Sequence, residues 1–180
     1  QLFDAKAQLP YALRQDGSVL MPGPPDVNAI STWCCDAEGD ELILVSYRLY
    51  SVVGAFKREA PFEYQGCFGR SPYFISGVSQ ACDLALDEGT GEYFSFQHHA
   101  HALPREEGDA PGVLRLLMYD NRGKDAGAQL YSRAVEYAIY LTAKTATQTC
   151  EFHTEYSDNR GSAHRFGDGS RAMVGCPHCA

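Results

Sequence analysis

Basic residues are scarce in this chain. Fifteen Lys and Arg stand against 23 Asp and Glu, a formal net charge of −8. A nucleic-acid partner is therefore not expected, because binding phosphate needs a basic face. Long apolar runs are missing too, and no stretch is long enough for a membrane span. The opening QLFDAKAQLP has no signal-peptide pattern. Helical periodicity is poor, and good helix formers do not cluster over ten or more residues. Only 134–146 leaves a helix open as an alternative to a strand. Cysteine is neither absent nor dense. Cys34, Cys35, Cys67, Cys82, Cys150, Cys176 and Cys179 make an odd number, so at least one is unpaired if the rest pair within the chain. That usage is below the density of a disulfide scaffold. Cys176-Pro-His-Cys179 is a C-x-x-C with no second pair at matching spacing. It reads as half a zinc site, a redox pair or a terminal accident.

What remains has the pattern of strands. With 180 residues and 44% hydrophobic content, one domain with a real core is expected. Residues 41–46, ELILVS, read as a buried strand. Another follows at 50–56 and a third, weaker one at 62–68, and a short one precedes at 32–35. Residues 69–89 read as a long irregular loop. Val113-Leu114-Arg115-Leu116-Leu117-Met118-Tyr119 reads as a half-buried strand. Asp120-Asn121-Arg122-Gly123 then has the composition of a tight turn. Further strands are expected at 132–141 and 147–153. Tyr11 to Met21 reads as a hairpin about Asp16-Gly17.

A strand–turn–strand unit recurs. ALRQDGSVLM (Ala12 to Met21) and AHRFGDGSRAM (Ala163 to Met173) share Ala, Arg, Asp-Gly-Ser and a final Met. Trp33 to Val45 has the same outline, and His101 to Met118 follows it more loosely. Repetition of this kind points to an all-β, β-propeller-like architecture of stacked blades. At about 40–50 residues per blade, the chain holds about three. It therefore reads as part of a larger ring, with sheet edges open to self-association.

The chemistry concentrates in 93–101, YFSFQHHAH. His98, His99 and His101 follow an aromatic run of Tyr93, Phe94 and Phe96. A neutral imidazole is nucleophilic near pH 7 and can carry a covalent intermediate. On residue type alone, a hydrogen-bonded or surface His is the favoured reading. Alternation puts His99 and His101 on one side of an extended segment, opposite His98. His-x-His spacing also leaves a metal-binding module open, built from these residues or from the CPHC tail.

The ordered set QH, HALP, LLMYDN, SRAVEY and TATQTCEF resembles the arylsulfotransferase family, which moves sulfate between phenols without a nucleotide donor. The resemblance is good over 93–152 and weaker over the rest. It implies a six-bladed propeller, no cofactor, an aryl sulfate and a phenol as substrates, and a periplasmic or secreted setting. It implies that His98 takes the sulfuryl group. It also implies that Arg48, in LVSYRLYSVV, holds the sulfate oxygens, a role that suits the fixed charged fork of a guanidinium. Asn28, His99, Asp120 and Asn121 fall at positions matched to substrate binding, and Arg133 matches the SR that follows. Two positions depart. After the QH the family usually shows Asp or another small polar residue, where this chain has His99. The family's H-x-N is Asp26-Val27-Asn28 here, and a carboxylate at Asp26 would repel sulfate. An inactive propeller fragment used as a binding scaffold is therefore the alternative reading.

Overall fold

In a computed structural model, the structure describes residues 27–33, 39–48, 51–59, 63–69, 82, 84–122, 131–157, 160–166 and 171–174. Among the described residues the chain is all-β, with strands and no α-helix. The helix alternative at 134–146 gives way to a strand up to 140, bonded on both sides by neighbouring strands, then a turn and the start of the next strand. The expected Tyr11–Met21 hairpin and the CPHC tail lie outside the described residues.

The first sheet is a meander of four antiparallel strands, β1 (Val27–Trp33), β2 (Leu42–Tyr47), β3 (Val52–Lys57) and β4 (Tyr64–Gly69), in that spatial order. Its two central strands are almost wholly buried. A continuous run such as LILVSY is what a strand covered on both faces requires. The second sheet repeats the meander with β6 (His98–Leu103), β7 (Val113–Asp120), β8 (Tyr131–Tyr140) and β9 (Thr145–Glu155). Between the two lies β5 (Ala85–Leu86), which pairs parallel with β9 at the outer edge. A hairpin of β10 (Ser162–Arg165) and β11 (Arg171–Val174) follows. Neither four-stranded unit closes on itself among the described residues.

Alternation along β7 explains the layering. Leu114, Leu116 and Met118 point one way, into a cluster with Leu42, Leu44, Val53, Ala55 and Phe68 of the first sheet. Leu117 and Tyr119 point the other way, against Leu103, Ala134 and Ala163, the last carried on β10. The second sheet is thus packed between the first sheet and the β10–β11 hairpin. Each fully buried Leu or Phe contributes about 1.5–3 kcal/mol relative to exposure. Phe68 anchors the junction, with its ring centre 4.9 Å from that of Tyr137 and 5.6 Å from that of Phe94. Cys67 and Cys82 form a disulfide that ties β4 to the segment entering β5. This pairs two of the seven cysteines, while Cys150 on β9 is a free thiol.

β1 and β6 run side by side. The Ala102 N–H donates to Ser31 Oγ at 3.4 Å, and Gln97 Nε2 donates to Ser46 Oγ at 3.0 Å. The beginnings of β1 and β6 therefore lie at the same end of the two sheets, together with the ends of β2 and β7. That end carries the candidate site.

Candidate functional site

The histidines do not merely precede a strand. They form β6 itself, and an irregularity interrupts its register with β7 between His98 and His101. Within that irregularity His99 takes φ +52°, and Phe96 takes the same value just upstream. Left-handed backbone at a non-glycine residue costs on the order of 1–2 kcal/mol. Here it is held by tertiary bonds. Phe96 N–H donates to Ser51 Oγ at 3.0 Å. The buried Gln97 side chain donates to Ser46 Oγ and to the Val52 carbonyl, at 3.0 and 3.1 Å. The QH pair is thereby fastened to the first sheet before His98 enters the second.

His98 is half-buried and faces Asn121, with Nδ1 to Oδ1 at 2.7 Å. Asn121 is fully buried, and its Nδ2 donates to the carbonyls of Ser157 and Arg160 at 2.7 and 3.0 Å. Ser132 backs this loop. Its hydroxyl accepts from the Ser157 N–H at 2.8 Å and donates to the Ser157 carbonyl at 3.2 Å.

Asp120 is also fully buried. Its Oδ1 accepts from the backbone of Ser95 and of Arg122, and its Oδ2 from Arg133 Nε at 2.8 Å. Arg133 is 1% exposed and also reaches Glu151 and the carbonyls of Glu92 and Tyr93. Burial disfavours both charges of the pair. Against that, Asp120 holds the Arg133 guanidinium protonated, above its ordinary value. The DN and SR pairs noted in the sequence are therefore two sides of one buried polar lattice. It joins the end of β7 to the start of β8 and to the segment ahead of β6.

Arg48 follows β2 directly, in the turn closed by the Ser51 N–H on the Arg48 carbonyl at 3.0 Å. Its guanidinium carbon lies 5.8 Å from the Phe96 ring centre, two residues from His98. Asn28 sits at an irregularity near the start of β1, where Val27 pairs with Tyr47 and Ala29 with Ser46. Its backbone is thus placed beside the residue that precedes Arg48. The sheet ends collect Asn28, Arg48, His98 and Asn121 from four strands. Asp26 lies outside the described residues.

The extra residue at the irregularity breaks the expected alternation, since His98 and His101 pair with Tyr119 and Leu117 on one face of β7, but His99 and His101 still meet each other. Their ring centres are 4.5 Å apart, and His164 of β10 lies 4.5 Å from His99. His99 Nδ1 donates to the Ala163 carbonyl at 3.0 Å, and His101 Nδ1 to the His99 carbonyl at 2.9 Å. Burial pushes both imidazoles below their usual value, and the His101 and His164 charges lower His99 further. Among the described residues, no group of His, Cys, Asp or Glu is arranged to hold a metal ion.

Sequence reasoning passed over Gln97, Ser132, Ser157 and His164. The first lies inside the QH motif and could have been found there. The other three come together only through pairing of segments 25 to 65 residues apart. Among the described residues, no helix is long and apolar enough to cross a membrane.

An all-β protein with a histidine held at the common end of two meanders is the class these features define. The family model for Arylsulfotransferase (ASST) matches residues 29–176. The chain belongs to the arylsulfotransferase family. No curated protein matches it.

Proposed function

We propose that this chain carries an aryl sulfate sulfotransferase site in which His98 is the nucleophile and Arg48 the sulfate clamp. The observation that supports it best is the His98–Asn121 contact at the end of β6 and β7, within a chain whose family moves sulfuryl groups. In the first half-reaction the His98 Nε2 lone pair attacks the sulfur of an aryl sulfate. An N–S bond forms, and the S–O bond to the aryl ring breaks. The phenolate leaves with that electron pair and takes a proton from water if its basicity requires one. In the second half-reaction a phenol oxygen attacks the same sulfur, the N–S bond breaks with its electron pair returning to Nε2, and the acceptor's proton passes to water. Arg48 stabilises the sulfuryl oxygens, in the manner of donors preorganised for transition-state charge. Asn28 and the aromatic residues at the mouth contribute to substrate binding.

In this reading the two meanders are consecutive blades of a propeller, with β1 and β6 as inner strands. The β10–β11 hairpin opens a third blade of a larger ring. Inner strands of neighbouring blades converge, so residues 50 positions apart can address one sulfate. Asp120 and Arg133 serve as framework.

The test is p-nitrophenyl sulfate with a phenol acceptor, following p-nitrophenol. His98→Ala removes transfer, because no other group forms the intermediate. Arg48→Ala lowers the rate by about 10²–10³, the range for one oxyanion donor. His99→Ala has a much smaller effect. Transfer that survives in His98→Ala sinks the assignment. The alternative of an inactive scaffold rests on Asp26. If the wild-type chain shows no transfer and Asp26→His gains it, that carboxylate is the reason.

A further inference from the structure

We infer that Asn121 is a positioning residue that fixes the tautomer of His98, holding the proton on Nδ1 and the lone pair on Nε2. The inference rests on the role proposed above for His98, but its geometry stands on its own.

The argument starts from the amide. An Asn side chain has one end that accepts hydrogen bonds and one that donates. Nδ2 of Asn121 lies 2.7 Å from the Ser157 carbonyl and 3.0 Å from the Arg160 carbonyl. Carbonyl oxygens only accept, so the NH2 end has to face them. The amide cannot be flipped without setting an oxygen against two oxygens in a fully buried site. Oδ1 is thereby aimed at His98 Nδ1 at 2.7 Å, and it can only accept. Nδ1 must then carry the hydrogen. In a neutral imidazole, a proton on Nδ1 leaves the lone pair on Nε2. The second nitrogen's hydrogen bond thus decides which nitrogen is nucleophilic.

The acceptor is suited to more than the resting state. When Nε2 bonds to sulfur, positive charge spreads onto the ring, and Nδ1–H becomes a stronger donor. Oδ1 is already in place to receive it, with no reorganisation. An amide oxygen does this without a negative charge beside the incoming sulfate, which a carboxylate in the same place would add. The support behind Asn121 is equally specific. Ser132 and Ser157 bond each other, so the carbonyl that orients the amide is itself held. The neighbouring Asp120 side chain does not touch His98. Its oxygens serve Ser95, Arg122 and Arg133. Two adjacent turn residues therefore divide the work, Asp120 holding the backbone and Asn121 holding the ring.

The test reads protonation directly, by nitrogen-15 NMR of the histidine side chains in the whole chain. Wild-type His98 shows the Nδ1–H form at a pH where it is neutral. His99 and His101 serve as internal controls, since backbone carbonyls hold both in that form independently of Asn121. In Asn121→Ala, His98 loses the Nδ1–H form while both controls keep it. In Asn121→Asp burial beside the Ser157 and Arg160 carbonyls favours the neutral carboxyl, whose O–H donates to them as the amide did; the other oxygen still accepts from His98, and the Nδ1–H form returns. With p-nitrophenyl sulfate, the first-turnover release of p-nitrophenol falls about 10–100-fold in the Ala variant, the usual effect of losing the group that orients a working histidine. Asn121→Asp recovers part of this rate. An Nε2–H wild-type His98 overturns the inference, as does an Ala variant whose His98 is unchanged. If Asn121→Ala disturbs the controls as well, the decision passes to the wild type and the Asp variant, and loss of Nδ1–H in either overturns it. A wild type that holds Nδ1–H but releases no p-nitrophenol leaves Asn121 in its role and removes the sulfotransfer reading instead.

Discussion

At the scale of single residues, three imidazoles of similar chemistry are divided by what they touch. His98 meets a side-chain amide, whereas His99 and His101 meet backbone carbonyls and each other. Burial lowers the His99 and His101 values below 6.5 in the folded chain. The unfolded chain then binds more protons than the folded one as pH falls through 6.5. Their contribution to stability is therefore complete above 6.5 and is lost progressively below it, through the lowered folded values. His164 lies beside them, and the adjacent Arg165 is paired with Glu106 and Glu136. The urea midpoint is expected to drop between pH 7.5 and pH 5.5. The combined His99→Gln and His101→Gln variant should show a flatter profile over that window. An unchanged slope in that variant would exclude these rings as its source. Asp109 acts elsewhere on the scale. Its hydrogen bonds from Arg115 hold it below the usual carboxylate range, so its share is lost only in stronger acid.

At the scale of elements, the buried lattice between β7, β8 and the approach to β6 decides where the site sits. Asp120 and Arg133 are 0% and 1% exposed. Removing one partner strands the other charge away from water. Asp120→Ala is expected to destabilise the fold by about 3 kcal/mol, the lower part of the range for breaking a buried pair, because Glu151 still faces Arg133. Chemical denaturation measures it. Gly161 plays a complementary part just before β10. Its φ is +146°, and a Cβ there would lie 2.3 Å from the buried Tyr119 ring. Gly161→Ala should lose about 1–3 kcal/mol through overpacking. It should also weaken transfer, since the carbonyl of the preceding Arg160 helps to orient Asn121. The Cys67–Cys82 bridge closes a 15-residue separation. In the chain-entropy model a loop of that size is worth about 3 kcal/mol. Reductant should lower the thermal midpoint of the wild type more than that of Cys67→Ser.

At the scale of the whole molecule, two meanders and a hairpin stack through successive faces, and every layer buries the one before it. If the meanders are blades of a partial ring, as proposed above, the last faces lack such cover. Phe152 on β9 and Phe166 after β10 are 41% and 54% exposed. The 180-residue chain by itself is expected to associate through open strands and apolar flanks. Sedimentation at increasing concentration checks this, and a monodisperse monomer throughout would count against an incomplete ring. A longer chain that supplies the remaining blades should remove the association.

The pattern of the chain by itself determined the strand class and most strand positions. ELILVS, VLRLLMY and SRAVEY carry their burial in their own alternation or continuity, which is local information. Family membership was legible in the ordered motifs, and His98 stood out among them by its place after Gln97. Other features were not local. That 98–103 is a strand depends on pairing with 115–119, since its polar histidines carry no strong strand signal. The long stretch read as a loop at 69–89 contains β5, which exists only by pairing with β9. The partnership of Asp120 with Arg133 is formed across a β7–β8 connection. The turn-like DN could not reveal that its two side chains point into protein. Tertiary structure alone decided that Asn121 faces His98, because the carbonyls that orient its amide arrive from 36 and 39 residues along the chain. Hydrogen-bond direction is set by whichever groups packing brings into reach, and no sequence period encodes it.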